Sequence, residues 1–234
     1  MKIAGIQELT LIDYPGKLAC TIFIYGCNFR CGFCHNPELV IKPCKKVYPE
    51  KEILDFLEKK KKYLNGICIT GGEPLLTLEK DFLKKIKEKG YLIKLDTNGS
   101  FPEKLKSFLE EGLIDFVAMD IKCDKNKYSE VANSNVDVGK IESSIKIISS
   151  LAKDYEFRTT ILEDFHNEEN IREIGKWVNE LVGQKPKKYI LQGFKNKGKF
   201  IDESYKSKKD VSEEYVLKLK EVAKEYFENV EIRV

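Results

Sequence analysis

Six short apolar runs, each separated from the next by a stretch with helical periodicity, constrain the fold more than any other feature of this sequence. The runs are rich in Ile, Val, Phe and Tyr, which is typical of buried parallel strands. Strands that alternate with helices pair in parallel through right-handed crossovers. The pattern therefore predicts an α/β protein with a parallel sheet, either an open barrel or a doubly wound sheet. The predicted strands cover residues 18–24, 66–70, 91–96, 114–120, 155–162 and 188–192.

Three of the intervening helices have recognisable N-terminal caps. Asn167 and Ser212 carry the short polar side chains that accept hydrogen bonds from the first turn of a helix. Thr77 is expected to cap the start of another helix. Gly90 is expected to end that helix, because glycine often follows the last helical residue. We predict one domain over residues 1–234.

Composition narrows the class of function. The 41 basic and 38 acidic residues give a net charge of +3, which does not favour nucleic acid as a partner. No apolar stretch reaches 18 residues and no targeting run opens the chain, so we expect no membrane association. Seven irregularly spaced cysteines argue against a disulfide framework and for a reducing, cytoplasmic compartment. Of these, Cys20 and Cys68 lie inside apolar runs and are expected to be buried and inert.

Lysine dominates one stretch, residues 185–209. The simpler interpretation is a solvated loop, which we favour. The alternative is a surface that docks an acidic protein partner.

Polar or glycine-rich residues follow or close nearly every predicted strand. A cysteine-rich loop follows the first, GGEP the second, DTNG the third and DIK the fourth, while Gln192 ends the sixth. The carboxyl ends of parallel strands share one edge of the sheet, and active sites form there. The sequence therefore predicts that these segments meet in one site.

The cysteine-rich loop, YGCNFRCGFCHNP, contains three cysteines with the spacing C-x3-C-x2-C: Cys27, Cys31 and Cys34. Zinc could use these thiolates with His35, although adjacent residues seldom reach one tetrahedral ion together. A ferredoxin would supply four cysteines to each cluster. A [4Fe-4S] cluster held by three thiolates instead leaves one iron open, and three ligands are enough if the substrate is the fourth.

This loop, with an aromatic residue directly before its last cysteine, resembles that of the radical S-adenosylmethionine (SAM) superfamily. The resemblance implies a partial (β/α)6 barrel with parallel strands, in which the cluster and SAM lie at the C-terminal rim. It also implies that the open iron binds the amino and carboxylate groups of SAM. Reductive cleavage of SAM then yields a 5′-deoxyadenosyl radical that abstracts a hydrogen atom, the cofactor supplying the chemistry and the protein its position.

The GGEP segment resembles the loop of this superfamily that binds the amino group of SAM. Gly71 and Gly72 permit close backbone approach, and Glu73 could accept a hydrogen bond from an ammonium group. Without the cysteine loop the segment would be interpreted as a turn between a strand and a helix.

The DTNG and DIK segments resemble a narrower group, the activating enzymes of glycyl-radical proteins. In these relatives the equivalent acidic residues hold a monovalent cation or bind SAM, and the lysine faces the SAM carboxylate. The corresponding residues here are Asp96, Thr97, Asn98, Asp120 and Lys122, with a possible cation near Asp96, Thr97 and Asp120. Read without the family, the segments are a turn and a strand end.

Two further residues match positions of the same group. The resemblance places Phe33 near the adenine and Arg158 near the cofactor, the alternative for Arg158 being a salt bridge at the rim. Gln192 is a weaker candidate for a residue near the cofactor. Neither His35 nor His166 has a partner in sequence that would make a general base, so we assign neither a catalytic role.

The N-terminal segment, residues 5–40, most resembles activating proteins of anaerobic ribonucleoside-triphosphate reductase. More broadly, it resembles the pyruvate formate-lyase activases. This implies a glycyl-radical protein as substrate and a flavodoxin- or ferredoxin-like protein as a possible reductant. Many activases have Gly where this chain has Tyr14. This difference puts the expected contact between Asp13 and the substrate in question. The alternatives are a radical SAM enzyme acting on a small molecule or another peptide, a non-catalytic iron–sulfur electron carrier, and a zinc-stabilised binding module.

Overall fold

The computed structural model describes residues 1–44 and 46–234, and a single eight-stranded sheet runs through them in the order β1 to β8. Strand β1 is antiparallel to β2, and every later neighbouring pair is parallel. The strands are β1 (Ile3–Thr10), β2 (Ala19–Ile24), β3 (Gly66–Gly71), β4 (Leu92–Thr97), β5 (Phe116–Asp120), β6 (Tyr155–Ile161), β7 (Lys188–Gly193) and β8 (Asn229–Arg233).

The six predicted strands are confirmed as β2 to β7, and the two strands at the edges of the sheet were not predicted. Both edge strands expose part of their length, so neither has the continuous apolar run of a buried strand. Edge strands therefore extend the predicted six-strand unit on both sides.

At least one helix connects each successive pair of parallel strands and packs on the outside of the sheet. The helices are α1 (Pro37–Val40), α2 (Glu50–Lys60), α3 (Lys80–Glu88), α4 (Pro102–Glu110), α5 (Tyr128–Ala132), α6 (Val138–Leu151), α7 (Glu168–Val182) and α8 (Glu213–Ala223). In the part of the chain that is described, no helix is long and apolar enough to cross a membrane.

Two of the three predicted caps are confirmed. Asn167 caps α7 through a reciprocal pair of hydrogen bonds with Asn170, and Ser212 accepts a hydrogen bond from the third residue of α8. The prediction for Thr77 was wrong. A short 3-10 turn ends at Thr77, and α3 begins only at Lys80, after Glu79.

The sheet curves into the predicted partial barrel. Gln7 of β1 and Gln192 of β7 line the same cavity, although five strands lie between them. Arg233 of β8 also reaches across to Glu156 of β6, donating two hydrogen bonds of 3.0 and 2.8 Å to its carboxylate.

Apolar side chains close the floor of the barrel, where the parallel strands begin. Tyr14 is only 4% exposed and packs with Ala19, Phe116 and Ala118. Because the floor is filled, the polar interior of the barrel is reached from the carboxyl ends of the strands, the edge where the sequence predicted the site.

Candidate functional site

A cavity of about 410 Å³ lies inside the barrel at the carboxyl ends of the strands. It brings together the cysteine-rich loop and the loops after β3, β4 and β5, as the sequence predicted. Of the predicted site residues, all except Glu73 line it: Cys27, Cys31, Phe33, Cys34, Gly71, Gly72, Asp96, Asn98, Asp120, Lys122 and Arg158.

Hydrogen bonds between residues of the cysteine-rich loop hold it in place. The Arg30 guanidinium donates hydrogen bonds to the carbonyl oxygens of Cys27 (2.7 Å) and Phe29 (2.8 Å), and the Phe29 amide donates to the Cys27 Sγ (3.3 Å). The Cys34 amide donates to the Cys31 carbonyl oxygen at 3.1 Å. The loop therefore directs its three thiols toward one cavity with few free torsions.

The donor set fits a cluster better than a single ion. No three His, Cys, Asp or Glu side chains among residues 1–44 and 46–234 converge closely enough to hold one metal ion. A mononuclear zinc ion needs all its donors within about 2.3 Å, whereas a cluster offers a separate iron atom to each thiolate. His35 Nδ1 lies 3.1 Å from the Lys197 carbonyl oxygen, and the His35 ring stacks on Phe194.

Burial governs the protonation of the three thiols. It raises the pKa of Cys27 to about 12 and raises the pKa values of Cys31 and Cys34 as well. Thiols in such surroundings ionise when a bound metal supplies the compensating charge. The site is therefore suited to thiolates that form together with a metal centre.

A chain of amide and hydroxyl groups joins the cysteine loop to the DTNG loop. Asn98 Nδ2 lies 3.9 Å from the Cys27 Sγ and donates to Asn28 Oδ1 at 3.0 Å. Asn28 Nδ2 in turn donates to Ser100 Oγ at 2.9 Å. Sequence reasoning did not identify Asn28 or Ser100. The only available signal was that Asn28 directly follows a cysteine of the motif.

The two glycines of GGEP lie against the start of the cysteine loop with no room for a side chain. Gly71 has a φ of +131°, and an added Cβ would lie 2.2 Å from the Ile24 carbonyl oxygen. At Gly72 the same atom would lie 2.1 Å from the Gly26 carbonyl oxygen. The loop thus presents its backbone to the cavity at this point.

Glu73 lies beneath this loop rather than in the cavity. Its carboxylate is fully buried and accepts hydrogen bonds from the Leu75 amide (3.0 Å), the Thr97 hydroxyl (2.8 Å) and the Asn98 amide (2.6 Å). Burial raises the pKa of Glu73 to about 7, and these donors oppose the rise. The carboxylate ties GGEP to DTNG, because its position under the turn directs it to their backbone and away from any ligand.

A network of charged side chains crosses the interior of the barrel. Arg158 lies between two carboxylates, with its Nε 2.7 Å from Asp120 Oδ1 and its Nη1 3.4 Å from Asp96 Oδ2. Lys122 Nζ is 2.9 Å from Asp120 Oδ2, and Lys94 Nζ pairs with Asp96 Oδ1. Burial would raise the pKa of Asp120, but Arg158 and Lys122 hold it well below its usual range.

Lys94 is the member of this network that sequence reasoning missed. It belongs to β4, two residues before Asp96, so both side chains point into the barrel. Its side chain is 2% exposed. The signal was a lysine inside an otherwise apolar run, at the alternate position that faces the same way as the predicted aspartate.

Phe33 lies between the charged network and a segment that we call the strap, residues 194–211. Lys122 Nζ is 5.9 Å from the centre of the Phe33 ring, and the Tyr205 ring of the strap lies 6.2 Å away on another side. The Asp202 amide donates to the Gly32 carbonyl oxygen at 3.0 Å. Much of the lysine-rich stretch is therefore packed against the cysteine loop through its backbone and aromatic rings.

Asp13 lines the cavity and accepts a 2.5 Å hydrogen bond from the Thr21 hydroxyl. Its neighbour Tyr14 points instead into the floor of the barrel, with its ring 6.0 Å from that of Phe116. The tyrosine therefore leaves the approach to Asp13 free.

The second histidine fixes the DIK segment without entering the cavity. His166 accepts from the Leu162 amide at Nδ1 (3.0 Å), and its Nε2 lies 2.9 Å from the Lys122 carbonyl oxygen. Burial lowers the pKa of His166 to about 4, so the ring is neutral and donates from Nε2. This contact positions the backbone next to Lys122.

Comparison with known proteins shows the family to which this chain belongs. Residues 21–181 match the family model of the radical SAM superfamily. The provisionally named glycyl-radical enzyme activating enzyme MJ1227 of Methanocaldococcus jannaschii is 38% identical over 76% of this chain and 75% of its own length. Pyruvate formate-lyase-activating enzyme of Clostridium pasteurianum is 34% identical over 52% of each chain.

A solved structure shares the fold at lower identity. Streptococcus suis SuiB bound to precursor peptide SuiA superposes with a TM-score of 0.68 and 17% identity. The alignment covers 90% of this chain and 46% of that chain. The open, mostly parallel barrel is common to both. The match over residues 21–181, which contain all three cysteines of the motif, shows that this chain is an enzyme of the radical SAM superfamily.

Proposed function

We propose that this enzyme activates a glycyl-radical protein by removing a hydrogen atom from one of its glycines. The observation that carries this step beyond the superfamily is the 38% identity to the Methanocaldococcus jannaschii protein over three quarters of both chains. The anaerobic ribonucleotide reductase type of activase remains the favoured interpretation, on the resemblance of the N-terminal segment. All eight strands share one sheet, and we propose that residues 1–234 act as one domain.

In this proposal Cys27, Cys31 and Cys34 hold a [4Fe-4S] cluster, and the iron without a cysteine binds SAM. When bound, the cluster and SAM together supply a 5′-deoxyadenosyl radical that abstracts hydrogen. The tasks left to the protein are to orient SAM, to keep water away and to present the substrate.

The cavity carries a charge pattern suited to an amino acid. Lys94, Lys122 and Arg158 provide three positive charges, and Asp96 and Asp120 provide two negative charges, so one positive charge is unmatched. Lys122 stands at the cavity end of this network and would meet the carboxylate of SAM.

Two other groups would complete the binding of SAM. The backbone of Gly71 and Gly72, which lines the cavity, would receive its amino group, and Phe33 and Asn98 would contact its adenosine. Glu73 would act through the loops that it joins, as a positioning residue. Arg158 would fix the carboxylates of Asp96 and Asp120.

An exposed apolar segment next to Asp13 favours a macromolecular substrate over a small molecule. Leu9, Leu11 and Ile12 are 56%, 68% and 82% exposed, and they directly precede Asp13, which lines the cavity. Exposed apolar patches of this kind commonly mark protein interaction sites. We propose that the partner docks on this segment, next to Asp13.

The strap would receive the reductant. It covers the cysteine loop and carries several lysines on its outer surface, among which Lys197 and Lys209 are exposed. We propose that an acidic one-electron carrier of the flavodoxin or ferredoxin type docks here. Reduction slowed by Lys197→Glu and Lys209→Glu would support the proposal, and an unchanged rate would contradict it.

The test of the proposed function uses the anaerobic ribonucleoside-triphosphate reductase of the source organism, labelled with α-deuterated glycine. The reduced, cluster-loaded activating enzyme is mixed with SAM and the labelled reductase. We expect a glycyl-radical signal in electron paramagnetic resonance and deuterium in the 5′-deoxyadenosine formed. If 5′-deoxyadenosine forms but contains no deuterium, and no glycyl radical is seen, this reductase is not the substrate. That result would favour a small molecule or another peptide as the substrate.

A further inference from the structure

We infer that this enzyme needs no bound monovalent cation, because Lys94 and Arg158 already neutralise the carboxylates that would hold one. The inference rests on the proposed function, since it concerns the part of the cavity that would bind SAM. The resemblance to activases led us to expect such a cation near Asp96, Thr97 and Asp120, and these residues do not fit one here.

Each of the four carboxylate oxygens already has a cationic partner. Asp96 Oδ1 pairs with Lys94 and Asp96 Oδ2 with Arg158 Nη1 at 3.4 Å. Asp120 Oδ1 pairs with Arg158 Nε at 2.7 Å and Asp120 Oδ2 with Lys122 Nζ at 2.9 Å. A small cation that approached any of these oxygens would be repelled by the ammonium or guanidinium group already beside it.

The third expected ligand is also engaged. The Thr97 hydroxyl donates to Glu73 Oε1 at 2.8 Å and accepts from the Gly99 amide at 3.1 Å. Hard cations such as Ca²⁺ and Mg²⁺ are held by several oxygen ligands at once, and we expect the same need of K⁺ or Na⁺. Asp96, Thr97 and Asp120 offer no such set while these contacts persist.

The side chain of Lys94 is buried inside the barrel, away from solvent. It lies within β4 and is 2% exposed, with its Nζ 3.8 Å from the Cys68 Sγ and 5.9 Å from the centre of the Phe116 ring. These neighbours give the ammonium group a single anionic partner, Asp96. Removal of this charge would free one oxygen of Asp96 and open a place for a mobile cation.

The experiment compares the affinity for SAM of the cluster-loaded protein in KCl, NaCl and tetramethylammonium chloride at equal ionic strength. For the unaltered protein we expect the same dissociation constant in all three salts. For Lys94→Met we expect affinity to fall about tenfold in tetramethylammonium, a coupling typical of linked sites, and to recover in KCl or NaCl. The thermal midpoint of Lys94→Met should likewise rise with K⁺, whereas that of the unaltered protein should not.

Lys87→Met is the matched control. Lys87 Nζ pairs with Asp115 at 2.6 Å, and Asp115 precedes β5 at the floor end of the sheet, so the same substitution removes an ion pair away from the cavity. Its affinity for SAM should not depend on the salt.

Two results would overturn the inference. One is an unaltered protein that loses affinity for SAM when K⁺ and Na⁺ are replaced by tetramethylammonium. The other is a Lys94→Met variant whose affinity and thermal midpoint are unchanged and independent of the cation. Absence of SAM binding in every salt would instead contradict the proposed function, and this inference with it.

Discussion

Replacement of Gly72 by Ala is the sharpest test of how the GGEP loop supports the cysteine loop. An added Cβ would lie 2.1 Å from the Gly26 carbonyl oxygen, 2.6 Å from its carbon and 3.1 Å from the Cys27 Cβ. Cβ contacts under 3.0 Å essentially never occur. The two backbones must therefore separate by about 1 Å, a displacement that can cost a site about a hundredfold in rate.

The separation would act directly on the first cysteine. It would break the 2.7 Å hydrogen bond from the Glu73 amide to the Gly26 carbonyl oxygen, which adjoins Cys27. We expect the free energy of unfolding to fall by about 1–3 kcal/mol, the usual cost of overpacking. The rate of 5′-deoxyadenosine formation should fall by about a hundredfold.

Three measurements on the reconstituted protein check this prediction: iron content, affinity for SAM and the rate of 5′-deoxyadenosine formation. Gly5→Ala is the control, because its φ lies outside the left-handed range and its added Cβ would make ordinary contacts of 3.6 Å or more with Phe23. The reasoning is refuted if Gly72→Ala matches the unaltered protein in both affinity and rate.

Three further predictions concern the metal ligands, the charged network and the buried histidine. Cys31→Ala should lose the cluster, because two thiolates cannot hold it; a full iron content would contradict this. Asp120→Ala should keep its iron but bind SAM at least about tenfold more weakly, because Lys122 and Arg158 lose the carboxylate that positions them, and unchanged affinity would oppose the assignment. The unfolded state protonates His166 below the ordinary histidine pKa of 6.5, whereas the folded state does so only below about 4. Stability should therefore fall by about 3 kcal/mol as the pH drops through this window, and urea unfolding of His166→Gln should show a smaller loss.

The sequence was sufficient for the parallel core of the fold and insufficient for its edges. Strands β2 to β7 are buried on both faces, so each appears as an apolar run bounded by polar residues. Strands β1 and β8 expose residues along their length and lack that signal. The Thr77 cap failed for a different reason: a 3-10 turn lies between β3 and α3.

The candidate site was predictable where it depends on the ends of strands. The cysteines and the DTNG and DIK segments meet at one cavity because parallel strands end at one edge. What could not be predicted depends on the contacts that individual side chains make. The role of Lys94 depends on Asp96 facing the same way, and the inward turn of Glu73 depends on donors from the next loop, Thr97 and Asn98.

The most direct test of the central claim is electron paramagnetic resonance of the anaerobically reconstituted, reduced protein with and without SAM, together with an assay for 5′-deoxyadenosine. If Cys27, Cys31 and Cys34 hold a cluster with one open iron, the cluster signal should change when SAM is added, and 5′-deoxyadenosine should form. A cluster signal that is unaffected by SAM, with no 5′-deoxyadenosine, would contradict the assignment of this cavity as the place where SAM is bound and cleaved.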